Sequence, residues 1–194
     1  MKIKTAIASI AVAVSLLGCA SVSDEFRVPS NIKSLEFNSL SSQYMSRPTF
    51  LKILKMSDGT EILKITMDSY GPAKNGVMPS ISIATTYVDE NIEMLEKYLS
   101  WVNTAKERED QFTKEIGKVN SWDNGATLLN RYTFHSGNQY SHFVEIVTCS
   151  LGICNPSEQS PIMLDPEGAK SLIKELQMFK KGEFKKTDLD TVYN

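Results

Sequence analysis

The sequence predicts an α+β fold, built mainly of antiparallel β-sheet with two amphipathic helices packed on it. Short apolar runs separated by turn residues predict many strands, and two longer segments show the helical period of 3.6 residues. Because the strands come in groups that only two helices interrupt, an antiparallel sheet is favoured over alternating βαβ units. Each helix follows a group of strands, so an arrangement as two strand-rich-plus-helix units is an open alternative.

A β-hairpin is predicted where two apolar runs flank Asp58-Gly59. Asp-Gly is a strong hairpin signal, because a type I′ turn needs a positive φ at both central residues. A two-residue loop pairs Leu54 with Leu63 and directs Phe50 and Leu54 towards the core. A third strand is expected after the next Gly- and Pro-containing loop.

Two helices are predicted from apolar stripes, one from about Asp89 to Arg108 and one beginning after Asp165. Asp165 is suited to the N-cap and Pro166 to the first helical position. The apolar stripe of the second helix is Ala169, Leu172, Ile173, Leu176 and Phe179. Further strands are predicted over residues 126–135, 139–150 and 161–164. Residues 115–120 are either a short strand or follow a first helix that continues to Ile116.

The N-terminus has the order of a secretory signal peptide. Lys2 and Lys4 precede an apolar run from Thr5 to Leu17, which ends in Gly18 and Cys19. The run is shorter than the roughly 20 residues of a transmembrane helix. The residues Leu16-Leu17-Gly18-Cys19 resemble the lipobox of bacterial lipoproteins.

The lipobox resemblance covers about 19 residues and implies a cellular location rather than an activity. It implies cleavage before Cys19 and attachment of acyl chains to that cysteine, which several chains together would hold firmly in a membrane. Ala20 occupies the position where an aspartate often implies inner-membrane retention, so the resemblance favours the outer membrane of a Gram-negative envelope, facing the periplasm.

The composition divides the chain into four parts. They are a signal peptide (1–18), the lipidated Cys19 with a serine-rich tether (19–48), a single α+β domain (49–182) and a C-terminal tail (183–194). Residues 20–48 contain eight serines and no long apolar period, which is typical of a flexible spacer. An alternative is that Ile32, Leu35, Phe37 and Leu40 pack as a short helix or strand, which would leave the tether only partly free.

Charge excludes one class of partner. Without Lys2 and Lys4, the chain keeps 19 of its 21 basic residues against 23 acidic ones, a formal charge of −4. Nucleic-acid binding needs a basic face, so a nucleic-acid partner is not expected. Attachment to anionic lipid by charge alone is equally disfavoured, which leaves the acyl chains as the predicted membrane anchor.

Cys149 and Cys154 remain as an even pair once Cys19 carries lipid. The oxidising envelope favours a disulfide between them. A lone Cys-x4-Cys pair does not supply the four ligands of a structural zinc site, and it lacks the Cys-x-x-Cys spacing of thioredoxin-like redox proteins. A structural disulfide is therefore predicted, with no metal and no cofactor.

His135 and His142 are the weak candidates for a metal or acid/base site. If Gly137-Asn138 is a two-residue hairpin loop, both imidazoles lie on one face of the sheet. Glu145 is then expected on the opposite face, which leaves the pair without a third ligand. Solvated histidines at a hairpin tip are the alternative.

The familiar catalytic motifs are absent from the sequence, including the nucleophile elbow, the zinc-protease helix, the phosphate loop and the dinucleotide fingerprint. The expected function is therefore binding, as an accessory protein of an envelope assembly, rather than catalysis. One alternative is a periplasmic inhibitor or immunity-type lipoprotein that blocks a hydrolase with a protruding loop, at residues 70–79 or 149–156. Another is a small hydrolase that uses His135 and His142.

Several aromatic residues allow two interpretations, a ligand groove or ordinary packing. Aromatic residues in antiparallel sheets are typical of core and cross-strand packing. The set is Trp101, Trp122, Tyr132, Phe134, Tyr140 and Phe143.

Overall fold

The computed structural model describes residues 20–70, 78–123, 127–137, 140–150, 153–154 and 161–186. Within these residues the strands are β1 (Val22–Val28), β2 (Ser34–Asn38), β3 (Gln43–Arg47), β4 (Thr49–Met56), β5 (Glu61–Met67), β6 (Ser80–Ala84), β7 (Phe112–Asp123), β8 (Thr127–Ser136), β9 (His142–Ser150) and β10 (Ile162–Leu164). The helices are α1 (Val88–Arg108) and α2 (Pro166–Lys180).

The strands form two sheets, in which all neighbouring strands are antiparallel. One sheet has the order β1-β4-β5-β6 and the other has the order β3-β2-β10-β9-β8-β7. The predicted α+β class with mainly antiparallel sheet is confirmed. Each helix follows an antiparallel meander, because the three strands β4-β5-β6 lead into α1 and the four strands β7-β8-β9-β10 lead into α2.

One apolar core joins the inner faces of both sheets with both helices. Its fully buried members include Leu63 and Ile83 from the four-stranded sheet, Phe134 from the six-stranded sheet, Leu95 from α1 and Leu172 from α2. The two sheets and the two helices therefore share one main core, and a smaller apolar cluster is formed by Met56, Ile62 and Ala84.

The prediction of a flexible tether over residues 19–48 is wrong for residues 22–47, which form β1, β2 and β3. β1 pairs along β4, with Phe26 opposite Ile53, and Val28 and Ile32 enter the core. The serines lie between these apolar residues, so the strand period is weak in the sequence. The domain therefore includes residues as early as Ala20, and Phe184 of the predicted tail also packs on the core.

The β4–β5 hairpin forms, but its predicted register is wrong by one residue. The loop has three residues, because Gly59 N donates to Met56 O at 3.0 Å and Gly59 has a φ of +88°. Ile53 consequently lies opposite Leu63. A shift of one residue moves each side chain of β4 to the opposite face of the sheet from the one predicted. Phe50 therefore points outward and is 43% exposed.

Both helices form close to where the sequence predicts them. The Asp165 carboxylate accepts a hydrogen bond from Gly168 N at 2.7 Å, and Pro166 begins α2, as expected for an N-cap followed by proline. α1 begins one residue before Asp89, and the Asp89 carboxylate instead binds Lys180 Nζ of α2 at 2.5 and 2.7 Å.

A buried polar network lies between α1 and the sheets, centred on Asn91. The Asn91 carbonyl oxygen accepts hydrogen bonds from Tyr132 Oη at 2.6 Å and from Asn130 Nδ2 at 3.3 Å. Its amide nitrogen donates to Tyr87 O at 2.6 Å and to Asn120 O at 3.1 Å. These four partners use the full hydrogen-bonding capacity of the fully buried asparagine side chain.

The network continues from Asn130 into both sheets. Asn130 Nδ2 donates to Ser82 O of β6 at 3.1 Å, and Thr148 Oγ1 of β9 donates to the Asn130 carbonyl oxygen at 3.0 Å. Ser121 Oγ of β7 also donates to Ser82 O. We refer to these residues as the Asn91 network, which connects β6 of one sheet to β7, β8 and β9 of the other: Ser82, Asn91, Ser121, Asn130, Tyr132 and Thr148.

Glu175 of α2 is a buried carboxylate, only 4% exposed, that holds the connection between β1 and β2. Its oxygens accept hydrogen bonds from Asn31 N at 2.7 Å and from Ser30 Oγ at 3.1 and 3.2 Å. Burial raises the pKa of Glu175, because removal from water disfavours the charged form more than these donors favour it.

Asn91→Ala is predicted to destabilise the fold by about 2–4 kcal/mol, since it leaves the Tyr132 hydroxyl and the Asn120 carbonyl buried without their partner. The matched control is Asn103→Ala at an exposed position of the same helix, where the change should stay within about 0.5 kcal/mol. Urea denaturation measures both. Equal free energies of unfolding for the two variants would contradict the central role of Asn91.

Glu175→Gln is predicted to flatten the pH dependence of stability. A raised carboxyl pKa means that this group favours the folded state fully below its ordinary value of 4.5 and loses that contribution as the pH rises through the folded value. Glutamine cannot ionise, and its carbonyl oxygen can still accept from Asn31 N. The variant should therefore gain stability relative to the native protein between pH 4 and pH 7, measured by denaturation at a series of pH values. Parallel curves would contradict the prediction.

Candidate functional site

His135 and His142 lie on opposite faces of the six-stranded sheet, so the predicted histidine pair is wrong. His135 lies opposite Phe143, and Ser136 lies opposite His142. The prediction assumed a two-residue loop, whereas residues 137–141 connect β8 to β9. This register places His142 on the inner face and His135 on the outer face.

His142 belongs to the core and is 2% exposed. Its Nδ1 lies 3.2 Å from Ser136 Oγ, and its ring is stacked on Phe134 with the centroids 6.1 Å apart. The His142 carbonyl oxygen accepts a hydrogen bond from Tyr98 Oη of α1 at 2.9 Å. Burial raises the pKa of Tyr98, so this phenol stays a neutral donor. His142 therefore has a structural role in helix packing.

His135 lies in a polar row that crosses β7, β8 and β9 on the outer face. Its Nδ1 is 3.1 Å from Thr113 Oγ1, and its Nε2 is 3.7 Å from Glu145 Oε2. Arg131 Nη2 lies 3.4 Å from Glu145 Oε1. The expectation that Glu145 lies on the face opposite His135 is also wrong, because the same register shift brings them together. His135 and Arg131 hold the pKa of Glu145 below its usual value.

The order hydroxyl, imidazole and carboxylate is the order of a nucleophile, a base and an orienting group. Such chemistry depends on a site that excludes water and presents donors to a developing oxyanion. Thr113 is exposed on an open sheet face, which does not meet that requirement. Within the described ranges, no three His, Cys, Asp or Glu side chains come together as metal ligands. The row is therefore a cross-strand polar contact.

Three aromatic rings lie together on the same outer face. The Phe37 and Tyr44 centroids are 5.4 Å apart, and the Tyr44 and Phe143 centroids are 4.6 Å apart. Tyr44 is on β3 and Phe143 is on β9, so their contact spans the two strands between them, β2 and β10. The apolar core that holds both helices uses the other face of this sheet. The aromatic cluster is therefore surface, with Phe37 and Tyr44 largely exposed.

The β2–β3 hairpin presents Leu40 at a well-defined turn. The Asn38 carbonyl oxygen accepts hydrogen bonds from Leu40 N at 2.9 Å and Ser41 N at 3.1 Å, and Ser42 has a φ of +54°. Leu40 is 97% exposed. We define the interaction surface as Phe37, Leu40, Tyr44 and Phe143.

The base of this hairpin is fastened to the end of β5. Arg47 Nε donates to Asp68 O at 2.7 Å, and the guanidinium carbon lies 3.8 Å from the centre of the Tyr70 ring. The Glu36 carboxylate accepts hydrogen bonds from Tyr70 N at 2.7 Å and Ser69 Oγ at 2.5 Å. These contacts hold the hairpin in position, which reduces the ordering entropy that binding would cost.

This surface was not predicted, because Phe37, Leu40 and Tyr44 lie within the predicted tether. A signal was present, since Asn38 precedes three turn residues and apolar residues alternate on both sides of them. The outer position of Phe143 follows only from the β8–β9 register.

The other predicted aromatic residues do not share one groove. Tyr132 and Phe134 are buried in the core. Trp101 borders a separate groove of about 160 Å³ between α1 and β7, with Phe112 and Lys114 among its lining residues. Pockets for drug-sized ligands usually measure about 300–1,000 Å³, so this groove is small for such a ligand.

Cys149 and Cys154 lie side by side, with their Cα atoms 4.3 Å apart, which is close enough for the predicted disulfide. Ser150 and Ile153 form an isolated antiparallel bridge inside this loop. The two candidate inhibitor loops, at residues 70–79 and 149–156, belong only partly to the residues that the structure describes. Residues 71–77, 151–152 and 155–160 are outside those residues.

No protein-family model matches this chain, and no curated protein matches it either. Cys19 and the signal-peptide residues lie outside the described residues. Within the described part of the chain, neither helix combines the length and the apolar character needed to cross a bilayer.

Thiol alkylation is predicted to leave Cys149 and Cys154 unlabelled in denatured protein that has not been reduced. After reduction, both cysteines should label fully, because the reagent then reaches two free thiols. Mass spectrometry of the peptides measures the label. Free labelling before reduction would contradict the disulfide.

Proposed function

We propose that this chain is a lipid-anchored envelope protein that binds a protein partner through the interaction surface, without catalysing a reaction. The observation that carries the proposal is the partly exposed aromatic cluster on the outer face of the six-stranded sheet, beside a hydrogen-bonded turn that exposes Leu40 almost completely. Large apolar side chains that are grouped on a surface are typical of interaction sites, because a protein that binds nothing rarely exposes a contiguous apolar patch to water.

The chemistry of this face suits a protein rather than a nucleic acid or a small metabolite. Aromatic residues dominate binding energy at protein interfaces, where a polar rim surrounds them. The adjacent charges on the same sheet compensate one another, with Arg131 beside Glu145 and Lys118 3.8 Å from Glu115. The resulting surface is close to neutral and offers no basic stripe for phosphates.

A lipid anchor on Cys19 would also favour a binding function, because it keeps the domain close to one membrane. A lipidated Cys19 would confine the domain to one membrane, where the effective concentration of a neighbouring partner compensates for modest affinity. We propose the outer membrane, facing the periplasm, as the location. An assembly in the cell envelope is then the class of partner.

The inhibitor or immunity-type function is the second candidate, and Leu40 favours it. A hairpin turn held by Asn38, with one apolar side chain projecting, has the shape of an element that enters an enzyme cleft. In that case the partner is a hydrolase, whose activity should fall when the purified domain is added. An envelope assembly factor would leave hydrolase activity unchanged.

The double substitution Leu40→Ser with Tyr44→Ser is predicted to weaken partner capture about tenfold or more, because hot-spot residues each contribute about 2 kcal/mol or more. Capture is measured by photo-crosslinking in intact cells from position 37, followed by mass spectrometry. The matched control is Phe50→Ser, which removes an exposed aromatic residue from the other sheet and should leave capture unchanged.

Cooperative unfolding of each variant verifies that it folds. Undiminished capture by the folded double variant would reject the interaction surface. Equal losses in the double variant and in the Phe50 control would also reject it.

A further inference from the structure

The chain joins the folded domain immediately after Cys19. Ala20 packs against a second apolar cluster, formed by Met56, Ile62 and Ala84. Ser21 is held on both sides by the β4–β5 turn, since Ser21 N donates to Ser57 Oγ at 3.1 Å and Ser57 N donates to Ser21 O at 2.8 Å. β1 then begins at Val22.

These contacts leave no flexible spacer between the anchor position and the domain. Flexible linkers extend about 5–6 Å times the square root of their length. Here the residue next to Cys19 is already packed, so an acyl chain on Cys19 would bring this end of the four-stranded sheet to the membrane surface. The end that meets the membrane includes the β4–β5 turn, Ser57–Thr60.

Two partly buried aromatic residues lie at the same end. Tyr87 and Trp122 pack against the cluster that also holds Ala20. Tyrosine and tryptophan are enriched at membrane–water interfaces, because each combines an apolar ring with a polar group. Their position beside the anchor is where such side chains would meet lipid headgroups.

The second tryptophan marks the far end of the domain. Trp101 borders the same groove as Phe112, which begins β7, whereas Trp122 lies near the end of that strand. Phe112 and Trp122 pair with Ser136 and Leu128 of β8, which are eight residues apart, so the separation along the strand is about 26 Å. The fluorescence of Trp101 and that of Trp122 can therefore be used to probe opposite ends of β7.

We propose that the domain stands directly on the bilayer, with Trp122, Tyr87 and the β4–β5 turn against the lipid headgroups and Trp101 directed away from them. This inference rests on the lipid anchor of the proposed function. It replaces a mobile spacer with a fixed orientation, so the interaction surface is presented in one direction.

Tryptophan quenching tests this orientation in the full lipidated protein. The protein is reconstituted into vesicles of phosphatidylethanolamine and phosphatidylglycerol that contain a lipid with a nitroxide headgroup. Trp101→Phe leaves Trp122 as the only tryptophan, and Trp122→Phe leaves Trp101. The nitroxide should quench Trp122 several-fold more strongly than Trp101. Equal quenching of the two would overturn the proposed orientation.

A spacer variant provides the control. Fifteen Gly and Ser residues inserted between Cys19 and Ala20 should reduce the quenching of Trp122 to that of Trp101, because the domain is then free to leave the surface. Unchanged strong quenching of Trp122 in this variant would mean independent lipid affinity rather than orientation by the anchor, and would overturn the inference.

A second pair of probes serves if a tryptophan variant fails to fold. Lys55→Cys and Phe50→Cys place a fluorophore at two exposed positions of β4, about 16 Å apart along the strand. The label at position 55 should be quenched more than the label at position 50. Equal quenching would again overturn the orientation.

Vesicle flotation separates this inference from the anchor itself. The Cys19→Ala protein should stay at the bottom of the gradient while the native protein floats. If the native protein also fails to float, the lipid anchor is absent and both proposals fail. If it floats and the two tryptophans are quenched equally, only the orientation fails.

Discussion

The Asn91 network determines how the two sheets are joined. Burial of apolar surface is non-directional, so it brings the sheets and helices together without specifying their alignment. A buried asparagine with four partners in fixed directions favours one alignment of α1 with β7 and β8. Asn130 and Ser121 then extend the network to Ser82 O of β6. Among the residues that the structure describes, both helices pack on the inner side, so the aromatic cluster on the outer face of the six-stranded sheet has no helix over it.

The features that the sequence predicted well are local ones. The N-cap at Asp165, the proline after it and the apolar stripe of α2 lie within a few turns of helix. The two hairpin registers were predicted wrongly, because they depend on the number of residues that the loop takes. Three residues in place of two exchanged Phe50 for Leu51 on the inner face, and a five-residue loop separated His135 from His142.

The N-terminal strands could not be predicted for a different reason. β1, β2 and β3 contain few apolar residues and are separated by serine-containing turns, so their strand character comes from partners that are distant in the sequence. Leu35 pairs with Met163, and the connection before it is held by Glu175. The composition of such a segment predicts a spacer, although its tertiary contacts make it part of the domain. The candidate interaction surface was hidden for the same reason.

The pairing of Leu35 with Met163 also has a consequence for how the protein acquires its structure. A chain that crosses a membrane from its N-terminus presents β2 and β3 long before β10, the strand that joins them to the rest of the sheet. Contacts of such high sequence separation form late and slowly. The hairpin that carries Leu40 is also held at the end of β5, but in an exported chain its sheet pairing with β10 would be completed only after nearly the whole chain has emerged. An incompletely translocated molecule would then lack the finished six-stranded sheet.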